Sequence, residues 1–228
     1  MRRVFTDKEI KAIKNNLTIL VDTREQKNQH ILDYFNKKNI KYKVHKLDYG
    51  DYSCMIPSGT IEAQTQDIYF DRDIVIERKA SIDEIANNFK DDGVRIKTEM
   101  AHLNKYNITS YLFVEEPTIE EATKILSKSE KEELINYLNV LKEKGIYLVP
   151  AGYDYNIRTG NYRSNYKPKS LYGRTKKGIE ARYNMPIIPR RKDVMGSEIY
   201  NTLDAFVYEK FKHEGWINEE CGEGELND

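Results

Sequence analysis

Ile74-Val75-Ile76-Glu77-Arg78-Lys79 is the stretch on which the fold turns. Three β-branched residues in a row suit a buried strand, because branched side chains pack well on a pleated surface. The strand runs directly into three charges with no turn residue between. Side chains on a strand alternate, so Glu77 and Lys79 project from one face and Arg78 from the other. A buried strand that ends in charge needs apolar neighbours along its length and partners for its tip.

Those neighbours are legible on both sides. Leu17 to Asp22 is a short apolar run ending in an acid, followed by His30 to Asn39, where Ile31, Leu32 and Phe35 recur at helical spacing. Lys41 to Leu47 and Tyr52 to Ile56 flank the turn residues Asp48-Tyr49-Gly50-Asp51, which predicts a hairpin-like pair. Downstream, Ser81 with Asp83 and Glu84 predicts a capped helix carrying Ile82, Ile85, Ala86 and Phe89, and Val94 to Lys105 predicts another. Tyr111 to Glu115 reads as a buried strand. Ile119 to Lys144 is amphipathic through Leu134, Leu138 and Leu141, and Ile146 to Val149 reads as a further strand. The span 117–153 is expected to be an insertion. The last part predicts a helix over Lys169 to Tyr183, a strand at Met185 to Ile188, and a helix over Ser197 to Lys212 with Ile199, Leu203, Phe206, Val207 and Phe211 inward. Strands alternating with helices imply an α/β layered fold, read here as one domain over 1–228.

Composition narrows the chemistry. The 228 residues are 39% hydrophobic, enough for a sizeable core. No apolar run reaches the ~18 residues of a membrane span, and the N-terminus lacks the apolar stretch of a secretory signal, so a cytoplasmic location is expected. Cys54 and Cys221 lie far apart, and His30, His45, His102 and His213 show no paired spacing, so neither a disulfide framework nor a zinc site is supported. Any metal would be held by oxygen.

The 37 acids and 37 bases cancel, yet they are unevenly placed. From Tyr155 to Lys192 eleven Lys and Arg stand against one acid, Glu180, whereas the tail 214–228 holds six acids and no base. Tyr155, Tyr162, Tyr166, Tyr172 and Tyr183 lie among the bases. That mixture suits phosphate neutralisation with stacking on bases, although a charge run is also what a solvated loop looks like. The nucleic-acid contacts expected of segment 154–192 are Tyr162, Arg163, Tyr166, Lys167, Lys169, Arg174, Lys176, Lys177 and Arg182.

Charged groups also gather at predicted strand ends: Asp22 and Glu25, Asp51 after Gly50, and Glu77 with Lys79. Strand ends are rooted in a rigid sheet, which is what holding a metal to tenths of an ångström requires. Mg²⁺ takes one or two carboxylates and keeps several waters, so Asp51 and Glu77, helped by Asp22 or Glu25, would suffice. A lysine beside such a centre can position a nucleophile or offset charge developing on phosphate. A bare Glu-x-Lys, by contrast, usually marks a surface ion pair.

Taken together the elements resemble the XPF-type, or excision-repair cross-complementing type, nuclease domain, a restriction-endonuclease-like fold with a central mixed sheet flanked by helices. The family pattern is Gly-Asp, a variable gap, then Glu-Arg-Lys, three residues and Asp. Here it reads Gly50-Asp51, Glu77-Arg78-Lys79, Ala80-Ser81-Ile82 and Asp83. The family's upstream Val-Asp-x-Arg-Glu is matched by Val21-Asp22-Thr23-Arg24-Glu25, and Arg95 and the strand ending at Glu115 fit loosely. The resemblance implies metal-binding acids at Asp22, Asp51 and Glu77, with Glu25 joining them, a catalytic Lys79, and active-site arginines at Arg24 and Arg78. Strand alternation makes Arg78 a bracing residue. The resemblance also implies a catalytic part for Asp83, which reads nearly as well as a helix-start charge.

The implied activity is Mg²⁺- or Mn²⁺-dependent cleavage of branched, flap or junction DNA. A homodimer is compatible with the family, and so is a stand-alone form like those of phages and mobile elements, since no helix-hairpin-helix module fits in this chain. A non-catalytic DNA-binding module of the same fold, or a same-fold nuclease acting on ends or on RNA, is the competing reading.

Overall fold

The computed structural model describes residues 4–80, 84–85, 88, 93–116, 129, 132, 136, 154–156, 161–163 and 178–217. The chain divides into two compact units, the first made of 1–77, 107–110 and 196–228, the second of 78–106 and 111–195.

The first unit opens with a helix that the sequence reading did not anticipate, α1 (Asp7–Asn16). Its signal is nevertheless local. The Thr6 hydroxyl accepts from the Glu9 N–H at 3.3 Å and the Glu9 carboxylate accepts from the Thr6 N–H at 3.0 Å, a reciprocal cap spelled Thr-x-x-Glu. Strand β1 (Thr18–Val21) is buried at all four positions, so it needs cover on both faces and a partner on both edges. It has them: β2 (Lys41–Val44) lies parallel on one side and β3 (Tyr52–Ile56) antiparallel on the other.

The expected hairpin of 41–47 with 52–56 is therefore replaced by an arrangement in which β1 is inserted between the two. The burial pattern explains the order. Lys41, Lys43 and Val44 are exposed and suit a sheet edge, whereas β1 and β3 are buried throughout and suit its interior.

Strand β3 also pairs with β4 (Ile68–Tyr69) and β5 (Ile74–Lys79), the latter with Tyr52 opposite Ile76. Helix α2 (Gln29–Lys37) buries Ile31 and Phe35, and the Phe35 ring meets Tyr42 of β2 at 6.0 Å. The closing helix α4 (Met195–His213) buries Ile199, Leu203, Val207 and Phe211 as predicted, and Phe206 only in part. A β-carbon on its Gly196 would stand 2.8 Å from the Tyr34 ring, so glycine permits α4 to approach α2. Phe5 closes this core, edge-on to Phe211 at 5.2 Å and stacked on Trp216 at 5.4 Å.

In the second unit, α3 (Gly93–Lys105) buries Met100 and Leu103. Strand β6 (Thr109–Glu116), which enters this unit at Tyr111, runs parallel to β9 (Ile187–Arg191). The strand expected at 185–188 thus starts two residues later and continues to Arg191. Between them in sequence, β7 (Asp154–Asn156) and β8 (Asn161–Arg163) form a two-stranded antiparallel sheet with Tyr155 opposite Tyr162. Among the described residues the main sheet has seven strands in the order β2-β1-β3-β5-β6-β9, with β4 on β3. This is a mixed α/β sheet with helices against it, the class read from the sequence. Most of the 81–89 helix, most of the 117–153 insertion and most of the acidic tail lie outside the described residues. No helix among those described is long and apolar enough to cross a membrane.

Gly50 fixes the turn before β3. Its φ is +69°, and a β-carbon there would meet the Val75 β-carbon at 2.9 Å and the Ile76 carbonyl at 3.2 Å. Left-handed backbone and overpacking both oppose a side chain, so Gly50→Ala should lower stability by about 1–3 kcal/mol, read as a shifted denaturant midpoint with unchanged slope.

Candidate active site

The acids read from the sequence come together by backbone register. The Asp22 N–H donates to the Asp51 carbonyl at 2.8 Å, and the Asp51 N–H donates to the Ile76 carbonyl at 2.9 Å. Asp22 caps the end of β1, Asp51 precedes β3, and Glu77 follows Ile76 within β5, so three residues far apart in sequence occupy adjoining strand ends. Neighbouring strands lie ~4.8 Å apart, which sets the scale of the row.

Asp22 is buried, and both of its carboxylate oxygens are engaged. Oδ1 accepts from the Arg24 N–H at 2.8 Å and from the Arg24 Nε at 2.6 Å, while Oδ2 accepts from the Leu47 N–H at 2.7 Å. Arg24 also donates to the Leu47 carbonyl at 3.1 Å. Asp22 thereby pins the 45–47 connection to the end of β1, and Leu47 packs with Leu20 and Met55 beneath it. The sequence reading had no means of finding Leu47, because its backbone and not its side chain takes part.

Burial acts to raise the Asp22 carboxyl, but the hydrogen bonds from the Arg24 side chain and from the Leu47 and Arg24 backbones outweigh it and hold the carboxyl below its usual value. A depressed acid contributes stability that is full above its unfolded pKa of about 3.9 and fades as pH falls through the lower folded value. Asp22→Asn should therefore destabilise the protein by about 1.5–3 kcal/mol at pH 7, since an amide would turn a donor toward the Leu47 N–H. The deficit should shrink below pH 4, as unfolding followed across pH would record.

Glu25 is half-buried, its N–H donating to the Asp22 carbonyl at 3.1 Å and its carboxylate accepting from the Lys27 N–H at 3.0 Å.

On β5 the alternation is visible in the burial: Glu77 is intermediate, Arg78 buried, Lys79 intermediate. Glu77 and Lys79 share a face. The Arg78 guanidinium points the other way and meets Glu115 of β6 at 3.0 Å, both side chains within 6% of full burial. Lys79 has Glu84 at 3.8 Å, and the same Glu84 carboxylate accepts from the Ala80 N–H at 2.8 Å. Glu84 is a site neighbour to which the sequence reading gave only a helix-start part. Asp83 beside it lies outside the described residues. Arg95 is exposed and pairs with Glu99 one helical turn on.

Among the described residues no group of three or more His, Cys, Asp or Glu is arranged to hold a metal ion. A magnesium-type ion needs only one or two protein carboxylates, and the all-oxygen pair Asp51 and Glu77 fits that requirement.

Of the expected nucleic-acid contacts, Arg182 is exposed, and Tyr162 and Arg163 lie on β8. Tyr166, Lys167, Lys169, Arg174, Lys176 and Lys177 lie outside the described residues.

Comparison with known proteins follows the same lines. No curated protein matches the chain. XPF from Aeropyrum pernix is similar in structure, with a TM-score of 0.47 at 14% identity over 87% of this chain and 69% of that one. A second structure, XPF from Aeropyrum pernix in complex with DNA, gives 0.46 at 18% identity over 85% of this chain and 66% of that one. The chain thus spans about two thirds of the length of each. The ERCC4 domain matches residues 21–192, from the residue before Asp22 to the residue after β9, and the chain belongs to the ERCC4 domain family.

Proposed function

We propose that this protein is a divalent-metal-dependent endonuclease that hydrolyses phosphodiester bonds in branched, flap or junction DNA. The observation that carries the reading is the backbone register joining Asp22, Asp51 and the Ile76-Glu77 peptide, which gathers acids from three strands at one end of a rigid sheet. Asp51 and Glu77 would hold Mg²⁺ or Mn²⁺, which when bound supplies Lewis-acid stabilisation of the scissile phosphate. Lys79, on the Glu77 face, would bring an ammonium toward the developing negative charge. Glu84 stands 3.8 Å from that ammonium. Asp22 and Arg24 act as positioning residues that fix the 45–47 connection, while Glu25 remains at the margin as a further oxygen donor. Arg78 acts from the opposite face by anchoring the catalytic strand to Glu115.

The basic, tyrosine-rich segment 154–192 would engage the DNA backbone and splayed bases. Family membership supports the substrate class.

End-labelled linear duplex, single strand, flap and four-way DNA, tested beside RNA with Mg²⁺, Mn²⁺ or EDTA, decide the matter. Internal cuts near the branch, dependent on the metal, are the expected result. Degradation from ends, or cutting of RNA alone, would transfer the same site to a different task. No cleavage of any substrate would leave a binding module.

A further inference from the structure

Outside the site and the 154–192 segment, one surface combines charge, exposure and position. Residues 37–46, Lys-Lys-Asn-Ile-Lys-Tyr-Lys-Val-His-Lys, carry five lysines and no acid in a chain whose net charge is zero. They form the end of α2, strand β2 and the start of the 45–47 connection, and among the described residues β2 is an edge strand of the sheet. Lys37, Lys38, Lys41, Lys43 and Lys46 are all exposed. The strand ends at the site: the His45 N–H donates to the Val21 carbonyl at 2.9 Å, and the next connection residue but one, Leu47, donates to Asp22.

Lysines on an edge strand have a bland use, since charge there discourages pairing with another chain. One or two suffice for that on a four-residue strand, and Lys37, Lys38 and Lys46 are not on the strand. Among the described residues local neutralisation is slight. Lys41 donates to the Asn16 amide oxygen at 2.6 Å, a neutral partner. Asp67 lies within electrostatic reach of Lys43, Asp33 takes the Gln29 amide, and Asp48 is committed to Arg72. Val44, 61% exposed between the lysines, adds an apolar contact of the kind a deoxyribose takes.

We propose that this lysine edge is a second DNA-contacting surface, which tracks the phosphate backbone of a duplex arm toward the acidic strand ends. The inference rests on the nuclease reading for its ligand. Its scale fits: the four extended residues of β2 reach at most ~13–14 Å, about four phosphates of one strand counted along the helix axis. A sequence-independent polyanion rail is what a branch-recognising enzyme requires of an arm it does not read.

The test replaces Lys38, Lys43 and Lys46 together by Gln in the full chain, leaving Lys41 and its Asn16 bond in place. Affinity for fluorescein-labelled duplex DNA is measured by anisotropy in EDTA across a salt series. A control removes three other exposed lysines, Lys8, Lys11 and Lys97, for the same change in net charge. Each neutralised phosphate contributes about 0.9 to the slope of log affinity against log salt, so loss of two or three contacts should reduce the slope by about 2–3 and affinity by ~10–100-fold, with the control near wild type. A triple variant that binds like wild type with an unaltered slope, or a control that loses as much, overturns the proposal alone. Wild-type protein that binds no DNA overturns both this surface and the nuclease reading.

Discussion

Asp51→Asn is expected to reduce DNA cleavage by ~10³-fold or more while binding in EDTA stays within a few-fold of wild type. The substitution keeps shape and backbone, and the two backbone bonds that place Asp51, to Asp22 and to Ile76, do not involve its side chain. What changes is one of the two carboxylates proposed to hold the cation. Loss of the charge stabilisation a bound metal provides is worth several kcal/mol, and each 1.36 kcal/mol is about tenfold in rate. Glu77→Gln should behave in the same way, and the double variant should add little, because two residues that act as a unit are not additive. The variant's thermal midpoint should lie near wild type. Full cutting by Asp51→Asn would remove the proposed site, and loss of folding would shift the test to Glu77→Gln.

Lys79→Met separates a further role. If its ammonium offsets charge on the phosphate, turnover falls while half-saturating metal concentration changes little. If instead it only balances Glu84, the metal dependence moves and turnover does not. That contrast is available because Glu84 bonds the Ala80 N–H independently of Lys79.

The legible part of this molecule was local or repetitive. Ile74 to Lys79 declared its strand through β-branching, and the alternation of Glu77, Arg78 and Lys79 gave the two faces that the burial pattern repeats. The inward face of α4 followed from spacing, with Phe206 alone less buried than expected. Register was not legible. Placing β1 between β2 and β3 depends on which strand is buried on both faces, and a four-residue run of Thr-Ile-Leu-Val does not declare its partners. The partners of site residues were hidden for a different reason. Leu47 acts through its N–H and Glu115 through a strand reached 37 positions after Arg78, and neither side-chain type nor local spacing marks such contacts. The cap at Thr6 and Glu9 was written plainly but sits before any apolar run that would draw attention to it.

Breaking the Arg78–Glu115 pair is expected to have the largest effect on stability. Both side chains are almost fully buried and 3.0 Å apart, joining the end of β5 to β6 within the second unit. Removing one partner from a buried ion pair strips the other charge of a neighbour it is desolvated beside, at a cost of about 3–5 kcal/mol. Glu115→Ala should be at the upper end, because an arginine cannot escape by losing its proton, and because Arg190 stands opposite position 115 in the β6–β9 register. Arg78→Ala should be milder, since a buried carboxylate can be neutralised by a proton where a guanidinium cannot shed one. The double replacement Arg78→Met with Glu115→Leu discriminates between a pair that stabilises and one that only must not be broken. Apolar residues of similar volume often restore or exceed the original stability. If Arg78 serves cleavage only by anchoring β5, the double variant should recover turnover together with stability. If the guanidinium itself touches the phosphate, stability returns and cleavage does not. Denaturant unfolding beside single-turnover cleavage reads both quantities on the same three proteins.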